Sequence, residues 1–98
     1  MTPYRFLSPA KEEMSDAALF YETASNGLGN DFLDDVQRTI DILSDYPELG
    51  EPVDSDFRRM LLHQFPFSLI YALEQNGIVI VAVAHQGREP NYWRSRVN

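Results

Sequence analysis

An α+β fold of the order β-α-α-β-β-β, a helical hairpin packed on a mainly antiparallel sheet with a short C-terminal helical segment, is what this sequence predicts. Three observations predict it. Two segments of the N-terminal half repeat apolar residues at helical spacing. Ile78 to Ala84 is an unbroken apolar run rich in β-branched residues, as in a central strand buried on both faces. Asn76-Gly77 joins that run to another apolar one, the strongest short signal of a hairpin. The 98 residues suit a single domain, 1–98, since no Pro/Gly/Ser-rich linker divides them.

Tyr4 to Leu7 is the first candidate strand, closed by Ser8-Pro9. Ser8 can cap a helix whose first position is Pro9. That helix runs to about Ser25, with Met14, Ala17, Ala18 and Tyr21 on its buried face and Glu12, Glu13 and Asp16 near its positive end. Asn26-Gly27-Leu28-Gly29 breaks it, and Gly27 suits a left-handed C-terminal cap. A second helix starts at Asn30 or Asp31 and ends near Tyr46, before Pro47. Its inner face is Phe32, Val36, Ile40 and Leu43; Asp34, Asp35, Arg38, Asp41 and Asp45 lie largely outside. So short a connection implies an antiparallel pair.

Pro47 to Asp56 reads as a loop, Phe57 to His63 as a strand and Phe65 to Glu74 as the next. With Asn76 and Gly77 as a two-residue turn, Tyr71 opposes Ala82, Ile70 opposes Val83 and Ser68 opposes His85. A one-residue bulge would reverse the faces. The first strand must join the later ones, because alone it is unstable.

The net charge of −7 argues against general nucleic-acid binding and against sequence-specific DNA recognition by this chain. The charge is uneven. Residues 1–56 hold thirteen acids against Arg5, Lys11 and Arg38, a balance of −10. Residues 57–98 hold two acids against five arginines, a balance of +3, and carry both histidines. Cysteine is absent, which removes disulfides and thiolate metal sites and fits a reducing cytoplasm. The N-terminus lacks a long apolar segment, so neither signal peptide nor membrane span is expected.

His85, Arg88, Tyr92, Trp93, Arg94 and Arg96 put base, cation and aromatic groups just past the central strand. His85 can be a general base or a structural partner of the C-terminal segment. Arg88 can meet a phosphate or carboxylate, though such a turn arginine is more often structural. Tyr92 can stack on a base or anchor the tail; for Trp93 the anchor is the better account. Arg58 and Arg59 point to opposite faces of their strand. Ser68 lacks a nucleophile elbow, and a small residue making room in the sheet is the better reading. Asp34-Asp35 and Asp54-x-Asp56 lack metal-ligand spacing and read as solvated acids; no cofactor motif or metal site is expected.

The combination of Tyr21-Glu22, Gly27-Leu28-Gly29, Phe32, Pro47-x-x-Gly50, Arg58-Arg59-x-Leu61-Leu62, Phe65-Pro66-Phe67, Tyr71 and His85-x-x-Arg88-x-Pro90-x-Tyr92-Trp93-x-x-Arg96 resembles the RelE/ParE toxin superfamily. It is nearest to the ParE-like, plasmid-stabilisation branch and covers nearly the whole chain. The resemblance implies a type II toxin that causes growth arrest and is neutralised by a cognate antitoxin. RelE-like members cut mRNA on the ribosome; ParE-like members poison DNA gyrase. As a ribonuclease this chain would rely on His85, Arg88 and Tyr92. As a protein-binding toxin it would grip its target with Arg58, Arg59, Arg88, Tyr92, Trp93, Arg94 and Arg96. Its only lysine, Lys11, lies on the first helix, so the basic cluster expected of a ribonuclease is thin. An acidic surface is also repelled by ribosomal RNA. A gyrase inhibitor without catalysis is therefore the first reading, a ribosome-dependent endoribonuclease the second, and a non-toxic, antitoxin-binding relic the third.

Overall fold

The computed structural model describes residues 1–97. β1 (Tyr4–Phe6), α1 (Ser8–Ala24), α2 (Leu28–Asp45), β2 (Glu51–Pro52), β3 (Arg58–Leu61), β4 (Phe67–Glu74) and β5 (Gly77–His85) follow in order, and a 3₁₀ turn at Tyr92–Arg96 closes the chain. The sheet order is β1-β5-β4-β3-β2, with β1 parallel to β5 and every other pair antiparallel. The helices cover one face. Phe32, Val36, Ile40 and Leu43 of α2 meet Leu69, Tyr71, Ile78, Ile80 and Val83 of the sheet there, with α1's Met14, Ala17, Ala18 and Tyr21 packed alongside. The other face carries a smaller cluster of Ile70, Val79, Val81, Ala82 and Trp93. β5 is therefore an interior strand, second from the β1 edge, and buried on both sides, as its apolar run requires. Among the described residues no helix is long and apolar enough to cross a membrane.

Several local readings are corrected. α1 begins at Ser8 itself, with Leu7 as the cap position, and Ser8 makes no capping hydrogen bond. Gly27 is left-handed at φ 90°, but it leads into α2, which begins at Leu28; α1 ends on extended Ser25. The turn is tied by Glu22, whose carboxylate accepts the Gly27 and Gly29 N–H groups at 2.9–3.1 Å. At Gly29 the helices lie close together: an added Cβ would lie 2.5 Å from the Ala18 carbonyl oxygen. The loop expected over Pro47 to Asp56 contains the two-residue edge strand β2.

The hairpin register also differs. Glu74 pairs with Gly77, so the turn residues are Gln75 and Asn76, and Tyr71 opposes Ile80. A two-residue turn on Asn-Gly needs positive φ at both positions. Here Gly77 is positive and Asn76 is not. The pairing then shifts: Ile70 opposes Ala82 and Ser68 opposes Ala84, while His85 opposes Phe67. Val81 is the extra residue of a bulge, so Val81 and Ala82 both belong to the far face. Ser68 and His85 are not partners.

Asp35 is not outside. It is 1 % exposed, and its carboxylate accepts the N–H groups of His63, Gln64 and Phe65 at 2.7–3.2 Å, fixing the β3–β4 turn to α2. Asp54 is likewise engaged, accepting N–H bonds from Asp56 and Phe57 and a 2.7 Å ion pair from Arg94.

Candidate functional site

The helix-free face of the sheet holds an open groove of about 640 Å³. Leu61, Ser68, Ile70 and Ala84 belong to its strand side, and Glu51, Pro52 and Val53 border one edge. Residues 85–94, continuing from β5 into the 3₁₀ turn, border the other. The expected residues Arg59, Arg88, Tyr92, Trp93 and Arg94 therefore meet at one place, and His85 borders it with its ring turned to the other face. Arg58 and Arg96 are not among its lining residues.

Trp93, 3 % exposed, anchors the turn against Phe57, with ring centroids 4.9 Å apart. Arg94 lies over the Trp93 ring at 4.5 Å and also bonds the Asn91 side chain at 3.1 Å. Asn91 has φ 66°, the left-handed region that asparagine tolerates better than most residues, and it directs the chain into the turn. The Asp56 N–H and the Arg94 guanidinium together hold the Asp54 carboxyl below its ordinary value. Arg88 stacks over Tyr92 at 3.8 Å. Arg59 pairs with Glu51 across the short β2–β3 ladder.

Arg58 has a different task. Its guanidinium donates to the carbonyls of Glu48 and Gly50 at 2.9 and 2.8 Å, holding the loop before β2. Tyr71 holds the same loop from below, accepting the Gly50 N–H at 2.9 Å and donating to the Pro47 carbonyl at 2.8 Å. Burial, partly offset by that N–H, raises the Tyr71 phenol above its ordinary value.

The two proton-transfer candidates turn away from the groove. His85 Nδ1 accepts the Gly87 N–H at 2.9 Å, and its ring stands edge-on to Phe67 at 5.2 Å, on the helix side of the sheet. The Tyr92 hydroxyl turns to α1 and donates to Glu13 at 2.6 Å. Burial and that carboxylate raise the Tyr92 phenol far above its ordinary value. Arg96 also turns to Glu13, with a two-pronged contact at 2.8 Å. Desolvation pushes the Glu13 carboxyl up, but hydrogen bonds from Arg96, Tyr92 and the Val83 N–H together outweigh it and hold it below its ordinary value.

Glu13 thus supports the site from outside the groove, through Tyr92 and Arg96, although by sequence it is only an acid at the start of a helix. No spacing rule could find it, because it meets Arg96 across 83 residues. Asp35 had a signal: it stands three residues after Phe32 and beside Val36 on the buried face.

The chain matches the model of the ParE toxin of the parDE type II toxin–antitoxin system over residues 4–90. Among solved structures it is similar in fold to a chain of the chromosomal ParDE toxin–antitoxin system from P. aeruginosa. The TM-score is 0.62 at 14% identity, covering 87% of this chain and 96% of that one. No curated protein gives a significant match. With two helices over one face of a five-stranded sheet and a match across most of its length, the chain belongs to the ParE toxin family of type II toxin–antitoxin systems.

Proposed function

We propose that this protein arrests growth by gripping a protein target such as DNA gyrase with the far-face groove, without catalysing a reaction, and that a cognate antitoxin neutralises it. The observation that carries this reading is the state of the groove's polar groups. Arg88 and Arg94 stand on aromatic rings, Arg94 with its charge also paired to Asp54, whereas the Tyr92 hydroxyl turns to Glu13 of α1 and the His85 ring to Phe67 on the helix side of the sheet. Stacked arginines over aromatics suit a protein interface. Cleavage of RNA needs a free acid and base beside the scissile phosphate. The net charge of −7 adds to this, since ribosomal RNA repels an acidic surface.

Induction of the gene alone, followed by separate measurement of DNA, RNA and protein synthesis, is the test. DNA synthesis is expected to fail first. Arg88→Ala is expected to weaken target binding about 10- to 30-fold, the range of an interface arginine worth about 1.4–2 kcal/mol. Early mRNA cleavage that Arg88→Ala or Tyr92→Phe abolishes would instead identify a ribosome-dependent endoribonuclease. Harmless expression of the folded protein would identify the non-toxic relic.

The antitoxin's surface is proposed on the opposite side. Leu19 and Phe20 are each 68% exposed and adjacent on α1, with Asp16 bordering the same patch. Exposed Glu12, Asp31, Asp34 and Asp41 make the helical layer acidic around them. Two copies of so acidic a face repel each other, so the fitting occupant is a cationic, amphipathic segment of the antitoxin. Leu19→Ser with Phe20→Ser is expected to lower antitoxin affinity at least 30-fold while toxicity persists; unchanged affinity by calorimetry places the antitoxin elsewhere.

A further inference from the structure

We infer that Glu13 is a positioning residue for the groove: its carboxylate takes the place of a strand beside the second half of β5 and fastens the C-terminal turn that forms a groove wall. β1 reaches only Ile80 along β5, where the Leu7 N–H donates the last main-chain bond to the Ile80 carbonyl. β5 continues to His85. Beyond β1, the Val83 N–H donates to Glu13 Oε1 at 3.0 Å, and the Val81 carbonyl accepts Arg96 Nη1 at 3.1 Å. The ion pair between Glu13 and Arg96 thus spans the two main-chain groups that a longer β1 would have satisfied.

The same carboxylate binds the turn. It accepts Arg96 on both oxygens at 2.8 Å and the Tyr92 hydroxyl on Oε2 at 2.6 Å. Tyr92 and Arg96 are the two ends of the 3₁₀ turn, and the residues between them include Trp93 and Arg94 of the groove wall. Glu13 does not line the groove. One side chain therefore joins α1, β5 and the turn, and its pair with Arg96 is largely shielded, at 18% and 17% side-chain exposure. Only a carboxylate serves here. An amide has one acceptor oxygen, and its N–H groups would face a guanidinium and a hydroxyl that already donates.

The groups around Glu13 that carry or can gain charge are Arg96 and Tyr92 of the turn, Arg88 stacked on Tyr92, and Lys11, Glu12 and Asp16 of α1; β5 supplies main-chain groups only. Asp54 holds Arg94 as a separate fastening of the same turn. Because the native Glu13 carboxyl is lowered, the fastening is complete above the ordinary glutamate value and is lost as pH falls through the lowered one.

Trp93 is the single tryptophan, so iodide quenching of its fluorescence reports the wall directly. In the full chain, Glu13→Gln is expected to raise the quenching constant several-fold and to speed amide exchange in residues 92–97 at least tenfold, with helical circular dichroism retained. Glu12→Gln is the control and leaves both unchanged. In wild type and in Asp54→Asn, Trp93 becomes accessible on acidification before helix is lost; in Glu13→Gln it is accessible at every pH. A shielded Trp93 and slow exchange in folded Glu13→Gln overturn the inference. Should that variant unfold, Arg96→Lys decides, since it keeps the charge and loses the two-pronged contact: partial release supports the role, and none overturns it. The functional consequence rests on the target-binding reading above, with Glu13→Gln expected to weaken target binding about as much as Arg88→Ala. If wild type binds no target, that reading fails, whereas the quenching and exchange still decide the role of Glu13.

Discussion

Asp35→Ala is expected to remove about 3–5 kcal/mol of stability, read as a lowered urea midpoint with an unchanged slope. The reason is geometric. One buried carboxylate accepts three successive N–H groups, those of His63, Gln64 and Phe65, at 2.7–3.2 Å. Each N–H left without a partner costs about 1–3 kcal/mol, less whatever water recovers at a partly buried turn. Against a typical total of about 5–15 kcal/mol, that leaves a small domain near its threshold. Asp35→Asn keeps one acceptor oxygen and is expected to lose about half as much. A loss below about 1 kcal/mol in Asp35→Ala would mean that the β3–β4 turn holds itself.

Tyr71→Ala is expected to cost about 3–5 kcal/mol, the range for removing a fully buried aromatic side chain. Tyr71 is 0% exposed, and its ring packs in the helix-side core while its hydroxyl bridges Gly50 and Pro47. Tyr71→Phe isolates the second contribution, about 1–3 kcal/mol for the two main-chain groups left unpaired. The loop explains the glycine. A Cβ at Gly50 would lie 2.7 Å from Tyr71 Cε1, so Gly50→Ala is costly only while the ring is present. A double-mutant cycle between the two positions is expected to show coupling of about 1 kcal/mol or more; additive effects would refute the contact.

Periodicity made the large features legible. Phe32, Val36, Ile40 and Leu43 could face only inward, and seven apolar residues in a row needed cover on both sides. The same periodicity puts Asp35 on the buried face of α2, against the expectation that its residue type raises. An acid belongs inside when a turn offers it several N–H groups, and nothing local announces that turn. The hairpin register failed on a single torsion, since Asn76 does not adopt positive φ. It then failed again at Val81, because a bulge leaves no mark in an all-apolar run. At the site, sequence adjacency placed Arg88, Trp93 and Arg94 together, and the anchoring of Trp93 followed from its size and apolarity. Tyr92 and Arg96 belonged to the same motif yet turn to α1, because their partner Glu13 lies near the opposite end of the chain.

The parallel pairing of β1 with β5 joins Tyr4–Phe6 to Ile78–Ile80. During synthesis, the helical hairpin can coil as soon as it leaves the ribosome. Its apolar side then waits uncovered until Ile78–Ile80 and the rest of β5 emerge, as non-local closure demands. A truncated or stalled product would therefore carry the acidic, helical half without the wall built by Trp93 and Arg94.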